Sequence, residues 1–326
     1  MTIIKSRVTG VGSQLPSRVI TNHDLATFVD TSDAWIRERT GIVQRYFAGE
    51  GETAASLGTL AAQKALNAAG RVPTDIDLIV VATTTPDKTF PSVASMIQHA
   101  LAMPVAVCFD VQAVCSGFMY ALSVADAMLR AGNHRRALVI GTEVMSKLMD
   151  WKDRTTSVLF GDGAGAVVLE ALEEETFGID KRALHDIRLY TDGRYENLLY
   201  VDGGVGTTQS TGYLRMKGQE VFKHAVAKMG KAVRDCMARN CVTIEDVDWV
   251  VPHQANQRIL DALGKQLGIP QEKMISTLAQ HANTSAASIP LALDAAIQDG
   301  RIQKGDLLML EAMGGGFTWA SGLLRL

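Results

Sequence analysis

The chain reads as an α/β protein built from two similar halves, and three observations point to that class. Short β-branched runs alternate with longer alanine-rich segments of helical period. The 326 residues are 47% apolar and 21% charged, a composition that fills a sizeable core and argues against disorder. Three segments also recur in the same order about 170 residues apart. Asp75-Ile-Asp-Leu-Ile-Val-Val pairs with Asp246-Val-Asp-Trp-Val-Val, the turn and helix at Cys115 with those at Asn283, and Arg136-Ala-Leu-Val-Ile with Asp306-Leu-Leu-Met-Leu. The expected halves are 1–175 and 176–326, with an insertion at about 172–213, and a site between them draws residues from both.

Taken in order, the opening residues read as a first strand. Lys5 and Arg7 break their apolar stretch, so the apolar region of an export signal is not expected. Thr53 to Ala69 reads as a helix with Thr53 as N-cap and Gly70 just past its end. Asp77 to Ala82, Arg136 to Ile140, Asp248 to Val251 and Asp306 to Leu310 read as buried strands. Further helices are expected over Leu214 to Asn240, Gln254 to Leu267 and Ser285 to Asp299, the last two followed by Gly268 and Gly300. Gly161-Asp-Gly-Ala-Gly-Ala satisfies a relaxed dinucleotide fingerprint, but Val167-Val-Leu169 reads as strand where that motif requires a helix. The glycines are therefore expected to form a tight bend feeding a buried strand and to allow close backbone approach.

Several function classes are set aside at this level. A net charge of -3 gives no general attraction to nucleic acid. No apolar run approaches the roughly 18 residues of a membrane span, since Asp110 cuts the stretch from Ala100 to Phe118, and a cytoplasmic location without membrane contact is expected. Four cysteines, at 108, 115, 236 and 241, lack CxxC spacing and are expected as reduced thiols. No HExxH or Cys/His cluster suggests a metal.

Chemistry concentrates in three places. Phe109-Asp-Val-Gln-Ala-Val-Cys115-Ser-Gly runs from strand through a small-residue turn into a helix, which puts Cys115 at a helix N-terminus. There the positive end of the dipole favours thiolate, and first-turn N–H groups can hold an oxyanion. The other three cysteines read as small buried residues. His253, in Val250-Val-Pro-His-Gln-Ala-Asn256, lies at a strand end, where catalytic groups gather in open α/β sheets. Asn283, in Gln280-His-Ala-Asn-Thr-Ser-Ala-Ala-Ser288, is the second-half counterpart of the Cys115 turn; its amide donates without titrating, although helix capping alone also accounts for an asparagine there. His281 lies two residues from Asn283 and is set aside on motif position only. The glycines at 314 to 316 follow a strand and let main chain approach a reacting carbonyl, or simply make a turn.

Six segments then carry a specific resemblance: Asp30-Thr-Ser-Asp-Ala-Trp35-Ile-Arg-Glu-Arg39-Thr-Gly-Ile, the Cys115 segment, Phe160-Gly-Asp-Gly-Ala-Gly, Pro252-His-Gln-Ala-Asn, His281-Ala-Asn-Thr-Ser-Ala-Ala-Ser and Gly314-Gly-Gly-Phe-Thr-Trp. Together, and in this order over nearly the whole chain, they resemble β-ketoacyl-acyl carrier protein synthase III of the thiolase fold. The resemblance implies a five-layered αβαβα subunit, a homodimer, and a Cys115, His253, Asn283 triad. It implies a decarboxylative Claisen condensation of a short acyl-CoA, acetyl-CoA foremost, with malonyl-acyl carrier protein, with no cofactor. Backbone N–H groups of Cys115 and Gly315 would form the oxyanion hole. Trp35, Arg39, Arg154 and Asn256 would bind CoA, and Lys223, Arg258 and Lys265 the acidic carrier protein. Phe90 would gate the acyl pocket of the dimer partner. The chain departs from the pattern at Met313, where relatives often carry phenylalanine.

Rival readings are a related condensing enzyme of a specialised pathway, a cysteine hydrolase, a biosynthetic thiolase and a non-enzymatic carrier-protein module. Papain-like proteases share the order Cys, His, Asn, but this chain lacks their Cys-Gly-Ser-Cys-Trp signature. A thiolase would carry a second catalytic cysteine near the C-terminal glycines, and none follows Cys241. A binding module leaves the triad unexplained.

Overall fold

The computed structural model describes residues 3–176 and 178–326; Met1 and Thr2, at the start of the expected first strand, and Phe177, in the expected insertion, lie outside them. The first sheet has five strands in the order Ile3–Gln14, Asp162–Glu174, Arg136–Val144, Leu78–Ala82, Val107–Val111. Leu78–Ala82 runs parallel to both of its neighbours, and Asp162–Glu174 antiparallel to both of its own. The second sheet orders Leu184–Thr191, Thr318–Arg325, Leu307–Gly314 and Trp249–Pro252 with the same succession of antiparallel and parallel pairs. The internal repeat is therefore a repeat of topology, strand for strand. Only Val107–Val111 lacks a full counterpart; in its place a single parallel bridge joins Val250 to Met274.

Burial follows from that arrangement. In Leu78–Ala82 every residue is buried, because both faces of the sheet are covered. Leu78, Val80 and Ala82 face a central layer formed by the helices Gly117–Arg130 and Ser288–Gln298, which also packs on Val251, Leu308, Leu310 and Ala312 of the second sheet. Ile79 and Val81 face outward onto the helices Ala54–Ala69 and Val93–Ala100. The helices Gly218–Arg239 and Gln257–Leu267 cover the outer face of the second sheet. Five layers result, α-β-α-β-α, as the resemblance implies.

Three expectations are corrected. The bend expected at Gly161 to Gly165 is strand from Asp162 onward, while its glycines do allow the close approach expected of them: a Cβ on Gly165 would lie 2.7 Å from Pro290 Cβ, and one on Gly161 would lie 2.6 Å from His281 O. The insertion at about 172–213 is narrower than expected, because Leu184–Thr191 takes in the second sheet the place of Ile3–Gln14 in the first. Two helices begin later than expected. Leu214–Met216 pairs as a strand with Leu199–Val201 before the helix starts at Gly218, and the Gln254 side chain bonds to Pro252 O and Ile275 O, so helix begins only at Gln257, capped by Asn256. The helix Ala54–Ala69 starts and stops as read, with a Thr53–Ser56 capping box and Gly70 left-handed at φ 62°.

Candidate active site

The two halves bring their corresponding turns face to face. In the first, Val114–Ser116 makes a single 3-10 turn leading into Gly117–Arg130, and Val114 takes a left-handed φ of 49°. In the second, Ser285–Ala287 does the same ahead of Ser288–Gln298, with Ser285 at φ 50°. Neither residue is glycine, so both turns hold unfavourable backbone in place by their surroundings. Ser116 ties the first turn down, its Oγ lying 2.8 Å from Ala113 O and 2.6 Å from Thr318 Oγ1. Asn283 ties down the second, its Oδ1 accepting the Ser285 N–H at 2.9 Å.

Cys115 is 4% exposed. Burial pushes its thiol up to about 12; the Ser285 hydroxyl pulls against that rise, and the Glu143 carboxylate adds to it. The helix position suggests a depressed thiol, and the structure reverses the sign. A helix terminus contributes about 0.3–2 kcal/mol, which the loss of hydration around the sulfur outweighs. Burial therefore favours the thiol over the thiolate.

His253 follows the strand Trp249–Pro252, and its N–H donates to Glu311 O at 2.8 Å across the parallel pair. Its Nδ1 lies 2.7 Å from Ser288 Oγ, and burial lowers the imidazole to about 3, so the ring is neutral. Asn283 is anchored at both backbone groups, its N–H donating to Leu159 O and its C=O accepting from Gly161 N, each at 3.0 Å. With Oδ1 committed to Ser285, its Nδ2 is the group left for a ligand.

Cys115, His253 and Asn283 line one cavity of about 690 Å³ together with Met313 and Gly314. Its apolar wall includes Leu199, Met216, Phe222, Ala225 and Ile259, and Trp35, Arg39, Asn256 and Arg258 also line it. The Trp35 ring is flanked by the guanidinium groups of Arg39 and Arg154, 5.0 and 5.4 Å from its centroid. Arg154 is paired with Asp30 at 3.3 Å. Asn256 caps its helix through Arg258 N at 2.9 Å and reaches Arg39 O at 3.3 Å. Lys223, Arg258 and Lys265 are all exposed, on the two helices of the outer layer. Of the glycines at 314 to 316, Gly314 lines the cavity: a Cβ there would sit 2.6 Å from Cys115 N, whereas one on Gly315 would meet Leu199 and Val114. Phe90 lies outside this cavity and is 82% exposed.

Two family models match the chain, one described as 3-oxoacyl-[acyl-carrier-protein (ACP)] synthase III over residues 109–193 and one as its C-terminal region over residues 237–326. The β-ketoacyl-[acyl-carrier-protein] synthase III of Rhizorhabdus wittichii is 61% identical over 318 residues, covering 98% of each chain. This chain belongs to the β-ketoacyl-acyl carrier protein synthase III family. The crystal structure of the Aquifex aeolicus synthase III superposes with a TM-score of 0.92 at 46% identity, covering 98% of this chain and 100% of that one. The Pseudomonas aeruginosa synthase III gives 0.91 at 39% identity, covering 98% of both.

Against that synthase III background, the residues missed in the sequence are the buried supports. Ser288 holds His253, Ser285 holds Asn283, and Glu143 stands behind Ser285. Glu143 carried a signal, a carboxylate following the apolar run Ala137–Ile140 within one strand; the serines looked like any other small residues of a turn. His281 packs edge-on against Tyr46 and does not line the cavity. Among the described residues there is no group of His, Cys, Asp and Glu that could hold a metal, and no helix long and apolar enough to cross a membrane.

Proposed function

We propose that this synthase III condenses a short acyl-CoA, acetyl-CoA foremost, with malonyl-acyl carrier protein, giving 3-ketoacyl-acyl carrier protein, CoA and carbon dioxide as the first condensation of type II fatty acid synthesis. The observation that carries this reading is the convergence of Cys115, His253 and Asn283, from three separate segments, on one cavity with Trp35 and Arg39 also in its wall. In the first half-reaction Cys115 attacks the acyl-CoA carbonyl, backbone N–H groups of Cys115 and Gly315 hold the oxyanion, and CoA departs. Trp35 stacks on the adenine, with Arg39 and Arg154 beside it and Asn256 along the pantetheine path.

In the second half-reaction malonyl-acyl carrier protein enters by the same channel, its carrier docked on Lys223, Arg258 and Lys265. Loss of carbon dioxide leaves an enolate whose oxygen accepts hydrogen bonds from His253 and Asn283. A neutral imidazole suits this role, because Ser288 donating to Nδ1 leaves the ring proton on Nε2, where it serves as donor. The reaction so written uses no metal or redox cofactor. A homodimer accounts for the uncovered edge strand Val107–Val111 and for Phe90 and Val105, exposed by 82% and 83%. The expected compartment is the cytoplasm.

The test is a competition among acyl-CoAs with malonyl-acyl carrier protein, products resolved by mass. A 3-ketoacyl-acyl carrier protein two carbons longer than a short primer is expected. Hydrolysis of the thioester without chain extension would favour a cysteine hydrolase instead.

A further inference from the structure

The turn that carries Asn283 belongs to the second half, yet a buried carboxylate of the first half reaches it. Glu143 lies near the end of the strand Arg136–Val144 with no exposed surface, and the chemistry above gives it no part. Its two oxygens collect the Thr83 hydroxyl at 3.3 Å, the Thr84 N–H at 3.1 Å and hydroxyl at 3.0 Å, and the Thr85 hydroxyl at 2.6 Å. The three threonines follow Leu78–Ala82, the neighbouring parallel strand. Thr85 Oγ1 accepts the Val144 N–H at 2.8 Å and Thr83 Oγ1 the Thr85 N–H at 3.1 Å, which leaves each hydroxyl its own proton to give to Glu143. The carboxylate is thus fixed from within its own half. Its Oε1 then accepts one hydroxyl from the other half, that of Ser285, at 3.1 Å.

Ser285 passes this constraint on. It is fully buried and holds a φ of 50°, a conformation that serine keeps only when its surroundings impose it. Its N–H donates to Asn283 Oδ1 at 2.9 Å, which turns the amide so that Nδ2 is the end left for a ligand in the cavity with Cys115 and His253. Two hydrogen bonds therefore lead from Glu143 to that amide. The Asn283 backbone is held separately, by Leu159 O and Gly161 N. The path from Glu143 accordingly governs how the side chain is turned, while the place of the residue is set by other contacts. His253 is held by Ser288, which has no part in this path.

We propose that Glu143 is a positioning residue for the second half-reaction, holding the Asn283 amide, through Ser285, in the orientation that donates to the enolate oxygen. The proposal rests on the condensing reading above. It makes the halves interdependent, since a donor supplied by the second is aimed by an acceptor supplied by the first. A carboxylate suits the task because it only accepts, and five donors converge on it. An amide of the same shape would turn one N–H₂ group toward hydroxyls that have protons of their own to place.

Two single-turnover rates on the full chain test this: acetylation of Cys115 by acetyl-CoA, followed by intact mass, and release of carbon dioxide from malonyl-acyl carrier protein by the acetylated enzyme. Glu143→Gln is expected to slow decarboxylation about tenfold or more, up to the loss of about 10²- to 10³-fold that removing a donor outright brings, with acetylation nearly unchanged. Ser285→Gly, which suits the left-handed backbone and keeps the N–H that Asn283 accepts, is expected to show the same imbalance. In an Asn283→Ala background, Glu143→Gln is expected to slow decarboxylation no further, because no amide remains to be turned. Losses that multiply in the double variant overturn the proposal, as does an equal fall in both rates or an unchanged decarboxylation rate in either folded single variant. A wild-type protein that takes no acetyl group, or releases no carbon dioxide from malonyl-acyl carrier protein, overturns the condensing reading itself.

Discussion

At Cys115 two effects of opposite sign meet, the helix terminus that favours thiolate and the burial that favours thiol, and burial prevails. His253 shows the same dominance of desolvation, which makes it a hydrogen-bond donor rather than a resting cation. On the proposed division of labour, His253→Ala and Asn283→Ala remove donors to charge that forms only in the second half-reaction. Each is expected to slow malonyl decarboxylation by about 10² to 10³ while acylation of Cys115 changes far less. Equal losses in the two single-turnover rates would contradict that assignment. That Cys115, His253 and Asn283 share one cavity was legible in the sequence because each occupies a marked place, a helix start, a strand end or a repeated turn. Ser285 and Ser288 were not, because a serine becomes a support only through the partner the fold sets opposite it.

Among the elements, the outer helices Gly218–Arg239 and Gln257–Leu267 do two jobs, covering the second sheet with one face and carrying the basic residues on the other. Arg258 is tied to the cavity mouth by a hydrogen bond to Glu38 O at 3.1 Å, while Lys223 and Lys265 project into solvent. Charge reversal at Lys223 or Lys265 is expected to raise KM for malonyl-acyl carrier protein several-fold, with Cys115 acylation by acyl-CoA intact. The effect should fade as salt is raised from about 0.05 to about 0.5 M and the screening length shortens. Carrier-dependent kinetics indifferent to both charge and salt would leave these lysines as ordinary solvated residues. Helix ends were read well where capping residues mark them, as at Thr53 and Gly70. They were read too early at Gly218 and Gln257, where tertiary pairing of Leu214–Met216 and the Gln254 side-chain bonds override helical periodicity.

For the whole molecule, the duplication explains why the site lies where it does: matching strand orders bring two matching turns together across the central helical layer, and the cavity opens between them. The repeat itself was legible, since segment order survives in sequence. The narrowness of the insertion was not, because Leu184–Thr191 is an ordinary edge strand with no counterpart motif to mark it. Assembly governs primer length on this reading, with the exposed Phe90 ring closing the partner's acyl pocket. Phe90→Thr is expected to shift kcat/KM from two-carbon toward longer acyl-CoAs, each added methylene recovering up to about 0.8 kcal/mol of burial. A dimeric variant with an unchanged chain-length profile would remove the gate and leave the Cys115 chemistry standing. Everything else depends on that chemistry, and intact-mass spectrometry with peptide mapping after incubation with acetyl-CoA reads it without intermediaries: one acetyl group is expected on Cys115 and none on Cys115→Ala, whereas an adduct on Cys108, Cys236 or Cys241 of the folded protein, or none at all, would contradict it.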